Sequence, residues 1–506
     1  MTDFLRYPNL AAERFGARAV VANDEFFAAK ENLLRGSEPV FEKGVYGDHG
    51  QVMDGWETRR RRSPGNDWCV IALGAPGIVH GVVVDTAHFL GNYPESCSVE
   101  GAFADAEVDD EATADIAWTP LVAMTPLEGG AAHVLPVAAP QLVTHVRLSI
   151  YPDGGVARFR VHGRPAPAWE DVLASGDHPD LALLAHGGYA VEASDAFYSS
   201  PNHLLLAGPS LDMGDGWETR RRRGPGNDWC VIALGVSGVV DEIELATTHY
   251  KGNAPAAVQV EAANRDHIPE EPDWEVVVPR TDVAPHSDHR FAVERPEPVT
   301  HVRLSIYPDG GVARLRVLGS PTRDGLARAG VARLDHLADR AAQERFLSCC
   351  GSQRWAEVMS AARPFGTIEE LLAAADRAWA ALPAPDRMEA FDAHPRIGDR
   401  QAAAGVAAAS ARSASWSRDE QAKVGDGNEE VLGRLAARNR DYEARFGHVF
   451  LVSASGKSAE EILDILDARI DNTPEQELAN AAHAQAGITR LRLRSLVGAE
   501  QSGAET

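Results

Sequence analysis

Four consecutive arginines follow Trp-Glu-Thr at two places in this chain, Arg59 to Arg62 and Arg220 to Arg223. A guanidinium offers a two-pronged donor fork that fits carboxylates and ureido oxygens. In a strand the side chains alternate, so two forks per block would face one site. The same block at a solvated strand edge would be a row of surface charge, and the spacing leaves the two readings evenly balanced. A histidine in a Gly-Asn setting lies downstream of each block. The first is Asp85-Thr86-Ala87-His88-Phe89-Leu90-Gly91-Asn92-Tyr93-Pro94 and the second Thr247-Thr248-His249-Tyr250-Lys251-Gly252-Asn253-Ala254-Pro255. Either histidine could be a base or a metal ligand, although a histidine beside an aromatic is more often a bonded loop residue. Neither an HxH nor an HExxH spacing is present to mark a metal site. Nearer the C-terminus, Ala393-His394-Pro395-Arg396-Ile397-Gly398-Asp399 and Ser417-Arg418-Asp419-Glu420-Gln421 hold further polar candidates, as do the runs from Arg445 to Val452 and from Ile488 to Leu493. Singly, these have plain structural roles. His394 before a proline ends a helix, Glu420 three after Ser417 completes a capping box, and Arg492 sits on the surface of a last helix.

At 506 residues, with about 150 per domain, the chain predicts three domains, give or take one. A net charge of −25 and a pI near 5.1 argue against nucleic acid or anionic membrane as partner. Hydrophobic residues at 44% suffice for real cores, and every apolar run falls short of the ~20 residues of a membrane span. The start, Met1-Thr2-Asp3-Phe4-Leu5-Arg6, predicts neither a signal nor a transit segment. Cys69, Cys97, Cys230, Cys349 and Cys350 are odd in number, include a vicinal pair and form no CxxC. Reduced thiols in the cytoplasm are therefore expected.

The elements that must position these residues come as a duplication. VTHVRLSIYPDGGVAR stands at both 143–158 and 299–314, WETRRRR at 56–62 and 217–223, and NDWCVIALG at 66–74 and 227–235. Trp56 and Trp217 are 161 positions apart but Arg147 and Arg303 only 156, so one copy has lost five residues between these points. Trp68 to Leu73 and Ile78 to Val84 read as short β-rich runs broken by Gly and Pro. Val146, Leu148 and Ile150 alternate with Arg147, Ser149 and Tyr151. The turn Pro152-Asp153-Gly154-Gly155 then leads into a partner strand from Ala157 to Val161. The expected fold is multidomain, two tandem all-β jelly-roll or β-sandwich domains at 1–163 and 164–320. A linker is expected at 321–331, then an all-α domain at 332–506. In that last domain Leu432, Leu435, Ala436, Asn439, Tyr442 and Phe446 share a helical face. Thr367/Glu370, Ser458/Glu461 and Thr473-Pro474/Gln476 mark helix starts.

DGWETRRRR with GNDW, DTxHFxGNxP and RLxIYPDGG, present twice, resemble the allantoicase family over about residues 15–320. The resemblance implies two jelly-roll repeats and hydrolysis of allantoate to ureidoglycolate and urea. It carries over, as polar motif residues, Glu57, Arg59, Arg61, Asp67, His88 and Asn92, with Glu218, Arg220, Arg222, Asp228, His249 and Asn253 as counterparts. The copies differ: Tyr46-Gly47-Asp48, Asp54 and Asp85 belong to the first, and Ala246 stands where Asp85 would recur. Chemistry that depends on Asp85 would run in one copy or in one composite site. His88 or a carboxylate could be the base, and a divalent metal such as manganese is left open. Trp56 and Trp217 could be core or pocket.

The helical words together resemble the family of 2-oxo-4-hydroxy-4-carboxy-5-ureidoimidazoline (OHCU) decarboxylase, from about Leu334 through Leu496, with Trp355, Arg363-Pro364-Phe365 and Asn439, Tyr442, Phe446-Gly447 included. The resemblance implies an all-α fold and decarboxylation to (S)-allantoin without a cofactor. His394, Glu420, Gln421 and Arg492 correspond to its site residues, lined by Pro395 and Ser417. Arg492 and Gln421 would hold ureido and ring carbonyl groups while His394 and Glu420 manage proton transfer. The expected protein is bifunctional, with small ureides and further copies of itself as partners. Its rivals are an allantoicase with an inactive helical half, and an active decarboxylase joined to a non-catalytic module that binds anionic ligands.

Overall fold

The computed structural model describes residues 3–104, 116–176, 178–264, 274–394, 396, 416, 429–452 and 457–499. They form two compact units, Met1–Ala329 with His336–Ala338 and Gly330–Asp335 with Asp339–Thr506.

The first copy in the β-rich unit runs β1 (Arg18–Ala22), β2 (Tyr46–Gly47), β3 (Gly50–Gln51), β4 (Trp56–Glu57), β5 (Asp67–Asp85), β6 (Ser96–Ala102), β7 (Thr119–Pro126), β8 (Ala132–Tyr151), β9 (Gly155–Val156) and β10 (Arg158–Pro165). The two runs expected around Gly74 are one strand, β5, that changes partners along its length. Its first part pairs β1 on one side and the end of β8 on the other, Asp67 opposite Ile150. After a register shift between Ala72 and Gly77, its second part pairs the start of β8 and β10. The strand expected to return beside Val146 and Ile150 is β10, and it pairs β5 instead, Arg158 opposite Asp85. The reason is occupancy: both edges of that part of β8 are taken, by β5 and by β6. Cys69, Ile71, Val82, Val84, Val146, Leu148, Phe159 and Val161 form one core, so the two parts of β5 cover the same interior.

The second copy repeats the plan with β11 (Tyr189–Ala193), β12 (Trp217–Glu218), β13 (Asp228–Ala246), β14 (Ala257–Ala263), β15 (Glu275–Asp282), β16 (Asp288–Ala292), β17 (Val299–Tyr307), β18 (Gly311–Val312) and β19 (Arg314–Pro321), preceded by helix α1 (Trp169–Ala174). The counterpart of β8 is split into β16 and β17 because Arg295-Pro296-Glu297-Pro298 intervenes, and proline has no ladder donor. The expected boundary at 163 falls within β10, and that at 320 within β19.

Much of the expected linker is helical, α2 (Arg323–Asp335). The Thr322 hydroxyl accepts from the Gly325 amide at 3.0 Å, starting the helix, and Ala327, Val331 and Leu334 are buried along it. The helical unit continues with α3 (Asp339–Cys350), α4 (Gln353–Ala361), α5 (Ile368–Ala381), α6 (Ala384–Asp392), α7 (Glu429–Phe446), α8 (Ala459–Arg469) and α9 (Pro474–Leu496). Thr367 accepts from the Glu370 amide, and both Ser458/Glu461 and Thr473/Gln476 close as full capping boxes. The expected α7 face is buried at Leu435, Asn439 and Tyr442. Behind it Glu477 is fully buried. Burial opposes its charge, but bonds from Arg469, Tyr442 and Asn472 overcome that and hold its pKa low. All five cysteines are free and buried. No helix among the described residues is long and apolar enough to cross a membrane.

Candidate active sites

In the first copy, β4 and β9 form a two-residue ladder, Trp56 opposite Val156 and Glu57 opposite Gly155. Trp56 is core: it is fully buried, and its indole Nε1 donates to the Asp24 carbonyl at 2.8 Å. Trp217 repeats this with Asp195 at 2.9 Å. The arginine blocks are not strands, because carboxylates take their amides. Arg59 N donates to Asp24 and Arg61 N to Asp153, with Arg220 N on Asp195 and Arg222 N on Asp309 in the second copy. The side chains of two arginines per block are bonded as well. Arg59 Nε bonds Asp24 at 2.7 Å, while Arg61 Nη1 bonds the buried Asp67 at 2.5 Å. Arg220 with Asp195 and Arg222 with Asp228 match them. Each of these arginines thus bonds a carboxylate of the protein itself, and they differ in exposure: the Arg59 side chain is 63% exposed over the Phe26 ring, that of Arg61 27%.

His88 and His249 both adopt left-handed backbone, φ 70 and 75, an uncommon conformation for a side-chain-bearing residue. Asp85 accepts from the Ala87 amide at 2.8 Å at the foot of this turn. Ala246 cannot do so, yet the second turn has the same shape, so Asp85 is not what imposes it. Behind each histidine, Asn92 Nδ2 donates to Glu57 Oε1 and Asn253 Nδ2 to Glu218 Oε1, both at 2.7 Å. Burial pushes the Glu57 carboxyl pKa up, with the Asn92 bond partly opposing it. The His88 and His249 Nε2 atoms lie 3.1 Å from the Pro39 carbonyl and 2.9 Å from the Ser210 carbonyl. Among the described residues no group of three or more His, Cys, Asp or Glu is placed to hold a metal ion.

Asp54 is not peculiar to the first copy. It accepts from Arg35 and Arg158, as Asp215 accepts from Arg14 and Arg314. Sequence reading missed Asp24 and Asp195, whose signal was a shared Asp-x-Phe, Asp24 before Phe26 and Asp195 before Phe197.

In the helical unit His394 follows α6, its amide donating to the Phe391 carbonyl. Gln485, Thr489 and Arg492 lie on one buried face of α9 at helical spacing. Gln485 Nε2 donates to the Cys350 carbonyl at 3.3 Å and to Thr489 Oγ1 at 3.2 Å. Burial lowers the His394 pKa to about 3; the Arg492 charge adds to this and Gln485 opposes it. Gln485 and Thr489 escaped the sequence reading; their only signal was polar residues keeping step with Arg492. Pro395, Ser417, Glu420 and Gln421 lie outside the described residues.

Residues 8–166 and 179–322 match the family model described as allantoicase repeat, and residues 335–494 that described as OHCU decarboxylase. A Burkholderia pseudomallei protein described as a probable allantoicase is 44% identical over 322 residues, 62% of this chain and 95% of its own. A Streptomyces coelicolor probable allantoicase is 45% identical over 339 residues, 64% of this chain and 88% of its own. The crystal structure of allantoicase from Saccharomyces cerevisiae covers 62% of this chain and 93% of its own, at 32% identity and a TM-score of 0.54.

Proposed function

The chain belongs to the allantoicase family and carries an OHCU decarboxylase domain behind its two repeats, and we propose how its residues divide the work of two reactions. The protein is bifunctional: the β repeats hydrolyse allantoate to ureidoglycolate and urea, and the helical domain decarboxylates OHCU to (S)-allantoin. The observation that carries this reading is that each family's match falls on a separate cluster of polar side chains, Glu57 with Asn92 and His394 with Gln485 and Arg492.

In the helical domain, His394 is neutral at physiological pH, so it meets the substrate as a hydrogen-bonding neutral imidazole and does not act as a cationic acid. The buried Arg492 guanidinium supplies fixed positive charge against the density left when CO₂ departs. That density delocalises into the imidazoline ring, so the reaction is proposed to need no cofactor. Glu420 and Gln421 are proposed to share the proton transfer and carbonyl binding. In the β repeats, the exposed Arg59 is the proposed anchor for the substrate carboxylate. The cytoplasm is the proposed compartment, supported by five buried free thiols, and the chain is proposed to associate with copies of itself.

The test is urea release from allantoate by the purified protein, with and without a chelator, beside His394→Ala. Equal urea from wild type and variant is expected, since the two clusters lie in different units. A chelator-sensitive rate would show a metal. Urea from neither protein under any metal condition would remove the allantoicase activity and leave the decarboxylase.

A further inference from the structure

The two copies of the β repeat are alike in motif but not in surroundings. Between Ser37 and Asp54 the first copy holds ten more residues than the second holds between Gly208 and Asp215, whose backbone carbonyls and carboxylates take the same arginine partners. The extra residues build the β2–β3 hairpin and bring two rings to the cluster: Phe41 stacks on His88 at 5.8 Å and His49 on Phe26 at 4.3 Å. Phe26 in turn lies under the Arg59 guanidinium. Planar rings flanking an exposed arginine suit a substrate with flat ureido arms and a carboxylate. In this copy His88 and Asn92 are exposed.

The second copy lacks the hairpin and covers the equivalent atoms. Met213 Sδ sits 3.8 Å from Asn253 Nδ2, and the Tyr250 hydroxyl, where the first copy has Phe89, bonds the Met213 carbonyl at 2.5 Å. His286 Nδ1 accepts from the His249 amide at 2.9 Å. Both His249 and Asn253 are partly buried.

We propose that allantoate is cleaved in the first copy alone, with Glu57 as the group that passes a proton to the departing urea. This rests on the allantoicase reading. Asn92 occupies Oε1, which leaves Oε2 to carry the proton, and burial favours the protonated form that an acid needs. The proton goes to the ureido nitrogen that leaves. The C–N bond breaks with its electron pair on that nitrogen, and urea is released. The lone pair of the remaining ureido nitrogen forms a C=N bond to the central carbon. Water adds to that carbon and returns its proton to the Glu57 carboxylate, giving ureidoglycolate and restoring the acid.

The experiment measures urea release by the full chain as wild type, Glu57→Gln and Glu218→Gln. Glu57→Gln is expected to lose at least ~100-fold in kcat, the usual scale of one general acid, with KM changed only a few-fold. Glu218→Gln is expected to lose less than about tenfold on the same scale. Equal losses in both variants would overturn the assignment in favour of a composite or doubled site, and an intact rate in Glu57→Gln would overturn the role of Glu57. Should Glu57→Gln fail to fold, Asn92→Ser keeps the acid and removes its anchor; it is expected to lower kcat roughly tenfold, and an unchanged kcat would count against the proposal. A wild type that makes no urea would overturn the allantoicase reading itself, and is told apart because that arm contains no substitution.

Discussion

Burial and the Arg492 charge hold the His394 imidazole neutral down to a pKa of about 3, whereas in an unfolded chain it would take a proton near 6.5. Between those values the unfolded state binds one more proton than the folded state, so stability rises with pH. The stabilising contribution is full above about pH 6.5 and is lost as the pH falls toward 3. Its slope is about 1.4 kcal/mol per pH unit for one proton. His394→Asn is expected to flatten this slope between pH 4 and 6.5 in urea titrations followed by helical circular dichroism; a slope as steep as wild type would assign the acid sensitivity to other groups. The same residue shows what sequence can and cannot reveal. His394 and Arg492 were legible because each stands in a distinctive run of residues. Gln485 and Thr489 were not, since a Gln and a Thr in an Ala-rich helix acquire meaning only when α9 turns them toward the Cys350 carbonyl.

Elements explain why the duplication was easy to read and its pairing was not. Identical words at 143–158 and 299–314 declare two copies, and alternation put Val146, Leu148 and Ile150 inside, where they are fully buried. Alternation carries no information about which neighbour a strand will meet, so β10 was expected beside β8 and is found beside β5. The arginine blocks failed for a different reason: their amides bond side-chain carboxylates, Asp24 and Asp153, which no local pattern announces. A third long-range feature ties the copies. Position 206, matching Arg35, is Leu206, and the missing guanidinium comes from Arg14 of the first copy, bonded to Asp215 at 2.7 Å. Asp215 is 8% exposed and Asp54 17%, so the cross-copy pair is the better shielded. Arg14→Ala is therefore expected to cost about 1–2 kcal/mol and Arg35→Ala under about 1 kcal/mol, measured as shifts in urea midpoint by tryptophan fluorescence. A smaller loss from Arg14→Ala would reduce its pair to an ordinary surface contact.

At the scale of the whole molecule, the question is what joining two enzymes in one chain does. The decarboxylase product is allantoin and the allantoicase substrate is allantoate, so a ring-opening hydrolysis must intervene between them. A product that has to leave for another enzyme gains nothing from a neighbouring site on its own chain unless that enzyme is recruited too. Matched expression of two activities is then the simpler consequence of the fusion. It predicts that chains disabled at opposite ends, His394→Ala and Glu57→Gln, mixed in equal amounts, convert OHCU to urea as fast as half as much wild type when an allantoin hydrolase is supplied in excess. The readout is the lag before urea appears and the steady rate after it. Identical lag and rate are expected, because the intermediates equilibrate with solvent in both cases. A shorter lag for the intact chain would show that allantoin or allantoate is passed between sites held on one molecule, and the fusion would then have a kinetic role that equal stoichiometry does not supply.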